Sequence, residues 1–352
     1  MKSSNSPTSR RGRQKIFLWV VLGCLALAVG YTARVFLRAG ASAQAQGQGT
    51  PLPVAGADEL HVIQSHPHLL FLHQEVPPYG QVTLAGLDPA SPQMAQTALS
   101  CGRIHYAAGN GICLLYEDMS AQDPLAPPRV WVKLFGADFQ PRHEFPVDGV
   151  LSRARVSPDG KYAAYTVFIT GHSYEDVDMS TATVLLDTAT GTSLGNLEEF
   201  EVWKDGQLYQ APEFNFWGVT FARDSNRFYA TLRNAGTTYL VQGDIAARRL
   251  TVLKDTVECP SISPDGTRLA FKKRVGNQWQ LTVLDLATME EVTLAEKEGI
   301  DDQVEWLDND HILYQKADYD PPKWVSVFVV PADGSGEPEL FMPNATSPVV
   351  VR

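Results

Sequence analysis

A four-residue turn recurs in this chain with the same surroundings. Ser157-Pro158-Asp159-Gly160 is followed by KYAAYTV, and Ser263-Pro264-Asp265-Gly266 by TRLAFKK. An apolar alternating segment enters each turn and another leaves it. Proline fixes φ at the second position, the aspartate accepts local hydrogen bonds, and glycine accepts a positive φ, so each tetrad reads as a hairpin turn. Looser copies begin at Ser65, Ala108, Arg223 and Leu307, which gives separations of 43, 49, 66, 40 and 44 residues along the chain.

A second hairpin follows each of these turns. Its aspartate recurs at 88, 138, 187, 244, 285 and 333, and VLLDTATGTSL (184–194) and TVLDLATMEEVTL (282–294) are its clearest copies. Each unit therefore carries four short strands, A to D. Four strands at a period of 40–50 residues mark a propeller blade. The sequence predicts an all-β fold, a six-bladed β-propeller of four-stranded antiparallel blades over residues 58–352. The 27 glycines and 23 prolines suit many short elements better than long helices. Two segments compete for the innermost strand of the first blade, HVIQS (61–65) and SPVVVR (347–352), and the register at ring closure stays open.

The SPDG turn with its apolar strand, and D-x-x-T-G between strands C and D, resemble the TolB-like family and, more broadly, WD-repeat-like propeller repeats. The resemblance spans residues 58–352. It implies a six-bladed propeller in a bacterial envelope. The separate α/β domain that precedes the propeller in the founding members of that family has no counterpart in residues 1–57, which puts a role in the Tol–Pal machinery in doubt.

Charge is divided unevenly. Residues 1–50 hold seven basic residues and no acid, while residues 51–352 hold 22 basic and 40 acidic, a net of -18 within the overall -11. So acidic a body excludes a nucleic-acid groove, which requires clustered Lys and Arg. Ile16 to Ala33 is uncharged and, with Val35 and Phe36, is long enough to span a bilayer. Five basic residues precede it and two follow, which places the N-terminus in the cytoplasm and the body outside. The sequence thus predicts a cytoplasmic tail (1–15), a transmembrane signal anchor (16–36), a flexible linker (37–57) and an extracytoplasmic propeller. Cleavage near Ala41-Ser42-Ala43 and lipidation at Cys24 are the alternatives. Cys101 and Cys113, twelve residues apart, are either a bridge or two buried thiols.

In a four-stranded blade the A–B and C–D turns share one face, and the B–C and D–A loops share the other. The tight turns read as structural, so the longer, irregular loops are expected to carry function. Two of them, 168–181 and 198–216, bring acids and aromatics together: Glu175, Asp176, Asp178, Trp203, Tyr209 and Phe214, with Asp301-Asp302, Asp318 and Asp320 of the sixth unit across the ring. This face is expected to bind an envelope protein or a small ligand, because aromatic side chains in loops build binding hot spots.

No catalytic residue, metal ligand or cofactor is assigned. Gly191-Thr192-Ser193-Leu194-Gly195 matches a nucleophile elbow but falls in a hairpin, whereas the elbow requires a strand-to-helix turn. Asp318-x-Asp320 and Glu175-Asp176-x-Asp178 lack EF-hand spacing. The alternative to a binding module is an extracytoplasmic hydrolase or lyase with its site in the central funnel.

Overall fold

The computed structural model describes residues 53–74, 80–88, 93–117, 128–176, 178–317 and 325–352. The expected anchor at 16–36 lies outside them, and among the described residues no helix is long and apolar enough to cross a membrane.

Six sheets follow one another around a ring. The first blade contains β1 (His68–His73), β2 (Gln81–Gly86) and β3 (Met94–Ser100), and its innermost strand is the C-terminal β26 (Ala345–Val351). Leu69 pairs with Val350 and Leu70 with Val349, antiparallel. This settles the closure in favour of SPVVVR. His61-Val62-Ile63 belongs instead to a helix, α1 (Ala57–Gln64), in which Asp58 and Glu59 occupy the first turn and the Gly56 amide donates to Glu59 Oε2 at 3.0 Å. Acids at that end suit the helix dipole. Just before α1, Val54 bridges Gln96.

The second blade is β4 (Arg103–Ala107), β5 (Asn110–Tyr116), β6 (Arg129–Gly136) and β7 (Pro141–Asp148). The third is β8 (Val150–Val156), β9 (Tyr162–Thr170), β10 (Ser180–Asp187) and β11 (Ser193–Asn196). The fourth runs β14 (Asn215–Phe221), β15 (Arg227–Asn234), β16 (Thr237–Asp244) and β17 (Arg249–Asp255). A small hairpin, β12 (Glu201–Lys204) and β13 (Gln207–Leu208), adds to its outer edge, with β12 parallel to β17. The fifth is β18 (Glu258–Ile262) to β21 (Glu291–Thr293), and the sixth β22 (Glu305–Trp306) to β25 (Glu339–Met342). Each innermost strand touches the next, β26 to β4, β8, β14, β18, β22 and back to β26, so the ring is closed.

The repeated turns are built alike. Ser157 Oγ donates to Asp159 Oδ1 at 2.7 Å, the same oxygen accepts the Lys161 amide at 3.0 Å, and the Tyr162 amide returns to Ser157 Oγ at 2.9 Å. Ser263, Asp265, Thr267 and Arg268 repeat the network at 2.6, 3.0 and 3.0 Å. The turns also join neighbouring blades: the Asp159 amide donates to Ser225 Oγ at 3.4 Å, and the Asp265 amide to Asn309 Oδ1 at 3.1 Å. In the second hairpins Asp187 Oδ1 accepts the Thr190 amide, and Asp285 Oδ1 the Thr288 amide, each at 2.8 Å. That bond is the physical content of the D-x-x-T pattern.

The cores lie between blades, where Phe71, Trp217, Trp306 and Tyr314 are fully buried. Cys101, just past β3, is joined to Cys113 on β5, with 5.5 Å between their Cα atoms, so the bridge links the first blade to the second.

Candidate functional site

An innermost strand shows one set of side chains to the axis and the other to its own blade, because side chains alternate along a strand. On β4 the axial set includes Arg103 and His105, and on β8 Arg153 and Arg155. Charge every second residue on a strand this buried demands partners, and those partners come from across the ring. Arg155 Nη1 donates to Glu305 Oε2 of β22 at 2.5 Å, and Nη2 donates to Val304 O at 2.8 Å and Ser261 Oγ at 3.2 Å. Arg155 is 7% exposed and Glu305 8%. Burial alone would raise the Glu305 carboxyl, but the Arg155 guanidinium and the His105 ring outweigh it and hold the group at about 2.

His105 is fixed by two contacts. Its Nδ1 accepts the Val156 amide at 3.1 Å, which leaves the proton on Nε2, 3.9 Å from Glu305 Oε2. Burial, with Arg155 adding to it, pushes the imidazole below its ordinary value. The ring is therefore neutral at pH 7, with Nδ1 hydrogen-bonded and the Nε2 proton turned toward Glu305.

This cross-axis set borders a chamber of about 480 Å³. Thr220, Phe221, Ser263 and Trp306 line it, and its rim carries Asp159, Arg223 and Arg352. Asp159 and Arg223 belong to the A–B turns, so the chamber sits at the face of the tight turns. The irregular loops lie at the other end of the axis.

At that other end the axis is filled. Tyr174, from the long connection between β9 and β10, is 7% exposed and stacks on Trp217 with ring centroids 4.7 Å apart. Its hydroxyl bonds Ser152 Oγ. The Arg153 guanidinium lies 5.3 Å and the Lys272 ammonium 4.9 Å from its ring centre. Lys272 is fully buried and pairs with Asp301, which also takes Arg153 Nη2 at 3.3 Å. Burial would raise the Asp301 carboxyl, but Lys272 and Arg153 outweigh it and hold it below its ordinary range. Asp301 and Asp302, expected as surface acids, are thus parts of the axial charge network.

The residues expected from sequence fall into two groups. Glu175 accepts Arg274 Nη1 of β19 (Arg268–Val275) at 2.8 Å, so the Tyr174 connection spans from the third blade to the fifth. Asp176 Oδ2 accepts the His172 and Ser173 amides at 2.9 and 3.1 Å and shapes the same loop. Asp178 is exposed, and its carbonyl accepts the Thr170 hydroxyl at 2.7 Å. Trp203 lies on the outer hairpin, where its Nε1 donates to Glu201 Oε2 at 3.1 Å and the Arg249 guanidinium stacks 4.4 Å from its ring. Tyr209 and Phe214 pack together, with centroids 5.4 Å apart, and the Tyr209 hydroxyl donates to Asn234 Oδ1 at 3.1 Å. The hairpin adds at the blade's outer edge, whereas the Tyr174 loop reaches the axis. Asp318 and Asp320 lie outside the described residues. The axial residues Arg103, His105, Arg153, Arg155, Lys272 and Glu305 went unrecognised; basic residues two apart in strand A were a signal for the first four, and nothing comparable marks Lys272 or Glu305. Among the described residues no cluster of His, Cys, Asp or Glu could hold a metal ion.

Solved structures resemble this ring. TolB from Acinetobacter baumannii aligns at a TM-score of 0.52 and 12% identity, over 81% of this chain and 67% of that one. A chain of a nidogen/laminin complex aligns at 0.50 and 11%, over 81% and 98%. A putative TolB from Agrobacterium tumefaciens aligns at 0.46 and 13%, over 79% and 89%. No protein-family model and no curated protein matches the chain. At these identities the likeness is one of fold: a TolB-like six-bladed propeller.

Proposed function

We propose that this TolB-like propeller is a binding module of the cell envelope, tethered by residues 16–36, and that it takes a segment of a partner protein or a small ligand into the wide axial chamber. The observation that carries this reading is the chamber's construction. It is about 480 Å³, within the range of ligand sites, and Tyr174 fills the far end of the axis. Arg155, Ser261 and Glu305 are held by mutual bonds and His105 by the Val156 amide, which lowers the ordering cost of binding. Arg223 and Arg352 at the rim favour a ligand with an acidic group. The Cys101–Cys113 bridge supports an oxidising compartment, in keeping with the topology expected from the basic N-terminus.

The loops carrying Glu175, Asp176, Asp178, Trp203, Tyr209 and Phe214 are the second candidate surface, favoured by the half-exposed Trp203 ring stacked under Arg249. An enzyme in the funnel is the remaining alternative, favoured by the convergence of His105 and Glu305. Against it, His105 Nδ1 is spent on a backbone amide and Nε2 carries the proton that faces Glu305, so no lone pair is free for general-base work. Glu305, held at about 2 by Arg155 and His105 against its burial, is a poor proton donor at neutral pH.

Crosslinking and capture from native membranes with the full chain separates these readings. Arg223→Glu is expected to abolish capture without lowering the melting temperature. Trp203→Ala combined with Phe214→Ala is expected to leave capture intact. The opposite pattern moves the site to the loop face. Turnover of an oligosaccharide or lactone with no captured partner favours the enzyme.

A further inference from the structure

Between the wide chamber and Tyr174 the axis narrows to a second chamber of about 40 Å³, lined by Arg103, Arg153, Arg155, Asp302 and Ser347 among others. Three guanidiniums in so small a space need more counter-charge than the protein supplies there. Arg155 is matched by Glu305. Arg153 shares Asp301 with Lys272, so one carboxylate serves two cations. Arg103 makes no ion pair among the described residues: its Nε donates to Ser152 O at 2.9 Å and its Nη1 to Ser347 Oγ at 3.4 Å.

Asp302 is the only carboxylate among the lining residues; its charge faces Arg153 and Arg103, but its hydrogen bonds go to backbone amides. Oδ1 accepts the Gln303 amide at 2.8 Å and Oδ2 the Gln315 amide at 3.1 Å. Donors, by contrast, are left over. The Nε atoms of Arg153 and Arg155 are buried and have no hydrogen-bond partner, in side chains 8% and 7% exposed. Orphan buried donors are uncommon and call for an explanation. Burial and the neighbouring Arg153 push the Arg103 guanidinium below its ordinary value, against the opposing pull of the Asp302 and Asp301 carboxylates.

We propose that the narrow chamber binds a single monatomic anion, chloride under physiological conditions. A volume of about 40 Å³ suits a small anion. Water supplies acceptor lone pairs but no charge, whereas a halide supplies both. The anion joins Arg103 of the second blade, Arg153 of the third and Ser347 on β26, the strand that closes the ring. It therefore acts as a clasp where the two ends of the propeller meet. The site is distinct from the wide chamber and does not depend on what that chamber binds.

The test uses the full chain in detergent, melted in sodium chloride, sodium bromide or sodium gluconate at one ionic strength. The halides are expected to raise the melting temperature by roughly 5 °C at a hundredfold excess over Kd. Arg103→Gln should abolish that difference. Independently, a crystal grown in bromide should show an anomalous peak between Arg103 and Arg153. That measurement holds even if the variant fails to fold. Water alone at that position, with equal melting in halide and gluconate, overturns the proposal, and so does bromide found only on the outer surface.

Discussion

Arg155 and Glu305 meet at 2.5 Å across the axis of the ring, from strands of the third and sixth blades, which stand opposite each other. Neither is much exposed, so the pair is a strut whose removal leaves a charge stranded. Glu305→Gln is expected to lower stability at pH 7 by about 3 kcal/mol, because breaking a buried pair from one side is costly.

The pH dependence of that loss has a definite sign. The Glu305 carboxyl is depressed in the folded state, to about 2, so its stabilisation is present above the unfolded value near 4.5 and is lost as pH falls from there toward 2. His105 is also depressed by burial and Arg155, so stability already declines as pH drops below about 6.5, where the unfolded state takes up protons first. Asp302 and Glu258 are raised by burial and act in the opposite sense above about 4. Urea midpoints of wild type and Glu305→Gln should therefore converge as pH approaches 2, with their separation greatest above pH 5.

Tyr174 closes one end of the axis through its ring more than its hydroxyl. Tyr174→Ala removes the stack on Trp217 and two cation contacts, and should cost about 3–5 kcal/mol. Tyr174→Phe loses only the bond to Ser152 and should cost about 1 kcal/mol. Equal costs in denaturant titrations would contradict a packing role for the ring.

The bridge between Cys101 and Cys113 closes a short loop, which by chain entropy is worth about 3 kcal/mol. Replacing both with serine should lower stability by that amount. Thiol titration of the unreduced, denatured chain should find two reactive groups of the four cysteines.

Much of this architecture is legible in the sequence. The SPDG turns at 157 and 263 encode their own hydrogen bonds, so the blade period follows from local chemistry. The triple valine of β26 marked the closing strand. His61-Val62-Ile63 misled because three residues of apolar or β-compatible character fit either a strand or a short helix, while Asp58 and Glu59 carried the helix signal. The axis was harder to see. Arg155 and Glu305 are 150 residues apart, and nothing local pairs them. Tight turns read as structural, yet they rim the wide chamber, because turns at a propeller's centre surround whatever space the innermost strands leave. The acids grouped as one surface are divided in the fold: Glu175 answers Arg274, Asp176 shapes its own loop, and Asp301 is shared by Lys272 and Arg153.

The most direct test of the binding account is a photo-crosslinking residue placed at Arg223, beside the wide chamber, and in a separate chain at Trp203, on the outer hairpin. In native membranes the account predicts a discrete adduct from position 223 and none from position 203. An adduct from position 203 alone would contradict it.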